Sequence, residues 1–168
     1  MGPTRTLLKL GAEVLAIDLN GRPQSWQKLT DFAKGTAGRL RVPVPAEAVG
    51  KITDMPTLHE HAGCNLIEEW PSVLRWLLKE LELSPKRPVL GVFVYADGGV
   101  FARLAAACDM LVSAVLRERP DTALIGLCSP TEVCVLCLCM YVCCACICMC
   151  VCMCILCAYV HLYIYMCL

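Results

Sequence analysis

LLKLGAEVLAIDL, residues 7 to 19, decides how this chain is to be read. Leu7, Leu8 and Leu10 have helical spacing, and Gly11 stands where a helix stops and turns. VLAIDL, residues 14 to 19, then forms a short apolar run that closes on an acid. A run without polar alternation is the pattern of a strand buried on both faces, and such strands belong to parallel sheets.

The sequence that follows repeats this alternation. NGRP (20–23) is a turn, Ser25 is a candidate helix N-cap, and Trp26, Leu29, Phe32 and Ala33 recur at helical spacing before Gly35 and Gly38. LRVPVP (40–45) is a second strand, pushed toward an edge by its prolines, and residues 46 to 65 read as loop. Pro71 suits the first turn of a helix carrying Val73, Leu74, Leu77, Leu78 and Leu81 on one stripe. VLGVFVY (89–95) is a third strand and leads through Asp97, Gly98 and Gly99 into a helix running to about Arg119. TALIGLC (122–128) is a fourth strand. Strands alternating with helices of ten or more residues predict βαβ units with right-handed crossovers, hence an α/β fold with a parallel sheet and flanking helices.

Composition divides the 168 residues in two. All 30 Asp, Glu, Lys and Arg residues lie at or before Glu132, and 12 of the 15 cysteines lie after it. We therefore take residues 1–132 as the α/β domain and 133–168 as a low-complexity, hydrophobic, Cys-rich C-terminal tail. The front part has three scattered cysteines, Cys64, Cys108 and Cys128, as an ordinary protein of a reducing compartment does, and core packing is their default role. Lys9 and Glu13 interrupt the N-terminal apolar run, which excludes a signal peptide and points to the cytoplasm. Zero net charge excludes a nucleic-acid partner of the usual kind, because no basic stripe is present to displace counterions.

LLKLGAEVLAIDL also resembles the second half of a dinucleotide-binding βαβ unit of the NAD(P)-binding short-chain dehydrogenase/reductase superfamily, a Rossmann-like family. The resemblance is one of strand and helix order over about residues 2 to 131. It implies that Asp18, at the end of strand two, accepts hydrogen bonds from the adenosine ribose hydroxyls and favours NAD over NADP, whose 2′-phosphate it would repel. It also implies hydride transfer to or from the carbonyl of a small-molecule substrate. The family's first strand and Gly-rich turn would precede this helix, and the chain shows neither; Gly2 could supply only the last of those glycines. Tyr95 is followed four positions later by Gly99, so the Tyr-x-x-x-Lys pair is absent and no catalytic residue is assigned. The domain therefore reads as an incomplete Rossmann-like sheet, a remnant or fragment of an NAD(P)-dependent oxidoreductase-like domain that is not catalytically competent as written. Lacking its first strand, it would expose an unpaired edge and be marginally stable.

Two further stretches sit where open α/β sheets bind ligands. YADGG (95–99) lies at a strand's carboxyl end and opens a helix, so Gly98 and Gly99 are candidate cofactor contacts beside the plain reading of a strand-to-helix turn. SPTE (129–132) holds the corresponding place after the fourth strand. His59-Glu60-His61 with Cys64 fits no zinc spacing, and a solvated loop with no metal is expected there.

Three readings of the tail stay open. Thirty-six uncharged positions exceed the roughly 20 that span a bilayer, which suggests a C-terminal membrane anchor carrying an α/β binding or interaction head. Sparse Leu and the absence of a basic or Trp-containing flank speak against a selected anchor. Cys alternating with Val, Met, Ile and Tyr is also what a translated TG-type DNA repeat yields, and clustered thiols could bind soft metals if a folded frame held them.

Overall fold

The computed structural model describes residues 2–94, 96–126 and 162–167. They form a mixed α/β structure in the order α1 (Gly2–Lys9), β1 (Glu13–Ile17), α2 (Pro23–Lys34), β2 (Arg39–Arg41), a 3-10 turn (Ala46–Lys51), α3 (Met55–His61), α4 (Leu66–Glu82), β3 (Pro88–Phe93), α5 (Gly98–Glu118), β4 (Ala123–Gly126) and β5 (Leu162–Cys167).

Gly11 ends α1 as expected. Its φ of +81° is open to glycine at little cost, and the Gly11 and Ala12 amides donate back to the carbonyls of Leu8 and Leu7 at 3.1 and 3.0 Å. The chain is thereby turned into β1, whose five residues are all buried. The alternation of the strand then sorts them. Leu15 and Ile17 join a core with Leu77 and Leu81 of α4 and Leu104, Leu111 and Val115 of α5, while Val14 and Ala16 pack with Leu8 of α1 and Trp26 and Leu29 of α2. Helices thus cover both faces of the sheet, which is why β1 is apolar from Val14 to Ile17. Gly38 is required by proximity: a Cβ there would lie 2.7 Å from the Leu8 backbone.

All strand pairs are parallel, in the order β2-β1-β5-β3-β4. The central position differs from expectation. Instead of a sheet confined to residues 1–132 with an open edge, β5, drawn from the segment read as tail, lies between β1 and β3 and pairs with both. The two flanking strands run in step across it, Glu13 and Pro88 both opposite Leu162, and Ile17 and Val92 both opposite Met166.

Other boundaries moved for local reasons. α2 starts at Pro23, with Arg22 rather than Ser25 in the N-cap position, because proline fixes φ for the first helical turn. α4 starts at Leu66, five residues before Pro71: Asn65 caps it by accepting from the Ile67 amide at 3.2 Å, and Glu69 returns a carboxylate to the Asn65 amide at 2.7 Å. That double cap offsets an internal proline, which cannot donate to the Ile67 carbonyl. β2 ends at Arg41, before the prolines, and β3 at Phe93. The expected loop of 46 to 65 contains the 3-10 turn and α3, the latter capped by Asp54, which accepts from the Thr57 amide at 2.9 Å.

At the amino end of the sheet Glu13 is nearly buried and is paired with Arg41 at 2.6 Å and Lys86 at 3.4 Å, and Arg41 also pairs with Glu80 of α4. Arg119 clamps the same end, donating to the carbonyls of Leu81 and Lys86 and to Asp121. Among the described residues α5 is the one helix long and apolar enough to cross a membrane, and its Leu104, Cys108, Leu111 and Val115 are buried in the core.

Candidate functional site

The carboxyl ends of the strands gather most of the residues singled out in the sequence. Asp18 follows β1 directly. Its carbonyl accepts from the Cys64 amide at 3.0 Å, and its carboxylate accepts from the Leu19 amide at 2.7 Å. Leu19 in turn accepts from the Trp26 indole at 3.1 Å, so β1's exit is tied to α2. Gly63 makes the close approach to Cys64 feasible: its φ is +97°, its amide donates to Pro43, and a Cβ on it would sit 2.6 Å from the Leu19 carbonyl oxygen.

Half-burial raises the pKa of Asp18 above the ordinary carboxylate range; the hydrogen bond from Leu19 and the charge of Arg22 oppose this. The carboxylate is thus partly desolvated and has one acceptor oxygen already engaged. Cys64, behind it, is buried, and desolvation together with the charges of Glu69 and Asp18 pushes its thiol up to about 12. It is a packed thiol rather than a nucleophile. Cys108 is fully buried on the apolar stripe of α5, as expected, while Cys128 lies outside the described residues.

Gly98 and Gly99 open α5 beyond the end of β3, on the same carboxyl edge as Asp18 but on the far side of β5. Two strand spacings, about 10 Å, separate β1 from β3. Gly98 has φ +57°, a conformation glycine tolerates, and a Cβ on either residue would meet nothing within 4 Å. These glycines shape a turn beside open space. Tyr95 and Ser129 to Glu132 lie outside the described residues. No family model, no curated protein and no solved structure matches the chain.

His59 was expected in a solvated loop and is instead buried in α3, with its Nε2 2.7 Å from Thr30 Oγ1 of α2. Thr30 Oγ1 also lies 3.0 Å from the Gln27 carbonyl, so the hydroxyl is held by a backbone and a side-chain partner at once. An open groove of about 390 Å³ lies between the two helices, lined by Gln27, Asp31, Lys34, Pro56, His59 and Glu60 among others. It includes none of Asp18, Gly98 and Gly99, and its Asp31 and Lys34 are already paired at 3.0 Å. The His59–Thr30 bond fastens α3 to α2. Sequence reasoning had one signal for it, a polar threonine one position from the apolar stripe of α2, but its partner comes from a segment without periodicity. Among the described residues no three His, Cys, Asp or Glu side chains converge as a metal site would require.

Proposed function

We propose that this chain is a Rossmann-like domain that binds NAD(P) at the carboxyl edge of its sheet, as a remnant or fragment of an oxidoreductase-like domain rather than as a complete enzyme. The strand order carries the reading. Numbered as second to fifth strands of such a domain, β1, β2, β3 and β4 give the order 3-2-x-4-5, with β5 in the place x of the first strand. The two halves leave the centre in opposite directions, with α1 and α2 packed on one face and α4 and α5 on the other. Ligands of open α/β sheets bind where the order reverses, outside the carboxyl ends of the strands. Asp18 and the Gly98-Gly99 turn flank that place.

In this reading Asp18 accepts from the adenosine ribose hydroxyls, its partial desolvation strengthening those bonds, and the space over Gly98 and Gly99 admits the rest of the ligand. A ribose 2′-phosphate beside Asp18 would be repelled, which favours NAD. No described residue is placed as proton donor. Calorimetric titration of the full chain with NAD, NADH and NADPH tests this: saturable binding of the NAD pair, weakened about 10- to 100-fold by Asp18→Ala, is expected from the loss of a charged hydrogen-bond acceptor. Absence of saturable heat with all three would remove the proposal.

A further inference from the structure

We propose that the outer surface of α1 and α2 docks on anionic phospholipid through Arg5, Lys9 and Lys28, leaving the opposite side of the sheet to water. The nucleotide-binding reading is not needed for this.

The chain carries no net charge, but the helices on the two sides of its sheet do. α1 holds Arg5 and Lys9 and no acid, and α2 holds Lys28 and Lys34 against Asp31, an excess of three positive charges on that side. On the other side α4 holds Arg75 and Lys79 against Glu68, Glu69, Glu80 and Glu82, an excess of two negative charges, while α5 is balanced. The positive excess is concentrated. The Arg5 guanidinium lies 5.1 Å and the Lys9 ammonium 5.8 Å from the centre of the Phe32 ring, and Phe32 packs against the core of Leu8, Trp26 and Leu29. One anchored ring thus holds two exposed cations a helical turn apart and reduces the side-chain freedom they would lose on docking. Lys28, also exposed, stands one turn before Phe32 on α2. Among the described residues no carboxylate pairs with any of the three: Asp31 is taken by Lys34 at 3.0 Å, and Glu60 belongs to the α3 wall of the groove.

A lipid surface fits this face better than a small anion or an acidic polypeptide. The groove between α2 and α3 includes none of the three cations, which stand on outward helix surface where a small anion would stay in contact with water. Leu10, directly after Lys9, is 63% exposed, so an apolar side chain stands beside the cations, as at the headgroup boundary. Each Lys or Arg near an anionic bilayer is worth about a fivefold gain in partition, and three give about 100-fold.

The test is flotation of the full chain with vesicles of phosphatidylcholine alone and with a quarter of the lipid replaced by phosphatidylserine. Residues 133–168 contain no Asp, Glu, Lys or Arg, so their contribution is common to both vesicles and the ratio of the two partition coefficients reads the charged face. A ratio of about 100 is expected in about 0.1 M salt, collapsing toward unity in about 1 M salt. Lys28→Gln should lower it about fivefold and Arg5→Gln with Lys9→Gln about 25-fold, whereas Arg5→Lys with Lys9→Arg should retain it. Glu68→Gln with Glu82→Gln raises the net charge on the far side, beyond a Debye length of about 10 Å, and should leave the ratio within about twofold. Equal partition into both vesicles, a ratio that survives the neutral variants, or one that the glutamate changes raise as strongly as the cation changes lower it overturns the inference. Equal partition together with saturable binding of polyglutamate also overturns it and gives the face to an acidic protein. Should the Arg5→Gln, Lys9→Gln protein fail to fold, Lys28→Gln decides alone, because its side chain is exposed and does not touch the ring.

Discussion

His59 Nε2 and Thr30 Oγ1 are hydrogen-bonded across 2.7 Å, and both residues are more than nine-tenths buried. A buried polar group must keep its partner, and the cost of removing the hydroxyl is that of stranding the imidazole nitrogen. Thr30→Val is therefore expected to destabilise the protein by about 1–3 kcal/mol, read as a lower Tm in a calorimetric melt. Thr30→Val combined with His59→Leu should recover part of that loss, because no polar group is then left unpaired; a double variant worse than the sum of the singles would contradict this account.

Gly63 and Gly98 both have positive φ but differ in surroundings. Gly98→Ala incurs the left-handed backbone penalty alone, about 1 to 2 kcal/mol. Gly63→Ala adds a methyl 2.6 Å from the Leu19 carbonyl oxygen and must displace the segment that holds Asp18. Chemical denaturation should show Gly63→Ala as the costlier by at least 1 kcal/mol, and ligand binding should fall with it. Equal losses would show that the 63–65 segment yields without strain.

Asp18 is held in its charged form at a cost. A carboxyl whose folded pKa lies above its unfolded value stabilises the fold when protonated: its contribution is fully present below the unfolded pKa of about 3.8 and is lost as pH rises through the raised folded value. At neutral pH Asp18→Asn should therefore raise Tm, since the amide oxygen still accepts from Leu19 and no charge is desolvated. Nucleotide binding should weaken in the same variant. A Tm that falls at pH 7 and recovers in acid would reverse the sign argued here.

Cys64 should resist alkylation. Raising a thiol from 9.0 to about 12 lowers its thiolate fraction about a thousandfold at pH 8, and the thiolate is the reacting form. Peptide mapping after iodoacetamide treatment of the native protein should leave the peptides of Cys64 and Cys108 unmodified, with full modification in denaturant. Rapid native labelling of Cys64 would mean that the exit of β1 opens on the timescale of the reaction.

Much of the fold is written in short stretches of chain. Leu7 to Leu19 specify a helix, a left-handed glycine turn and a doubly buried strand with no help from distant residues, because capping, turn chemistry and hydrophobic periodicity act over a few positions. The same holds for the stripes of α4 and α5 and for the position of Asp18 at the end of β1. Boundaries slipped where a local signal had a nearby rival, as at Pro71, which suits a first turn but yields to the Asn65 and Glu69 caps.

Only tertiary structure decided the rest. His59 belongs to a stretch without apolar rhythm, and its burial depends on a hydroxyl 29 residues away. The flanking positions of Asp18 and the Gly98-Gly99 turn depend on β5, whose residues pair with partners as far off as Glu13 and Pro88. Tyr163 and Tyr165 between Leu162, Ile164 and Met166 permit a strand, but register and neighbours are set by backbone edges that exist only once β1 and β3 have folded, and no local pattern in residues 162–167 encodes them.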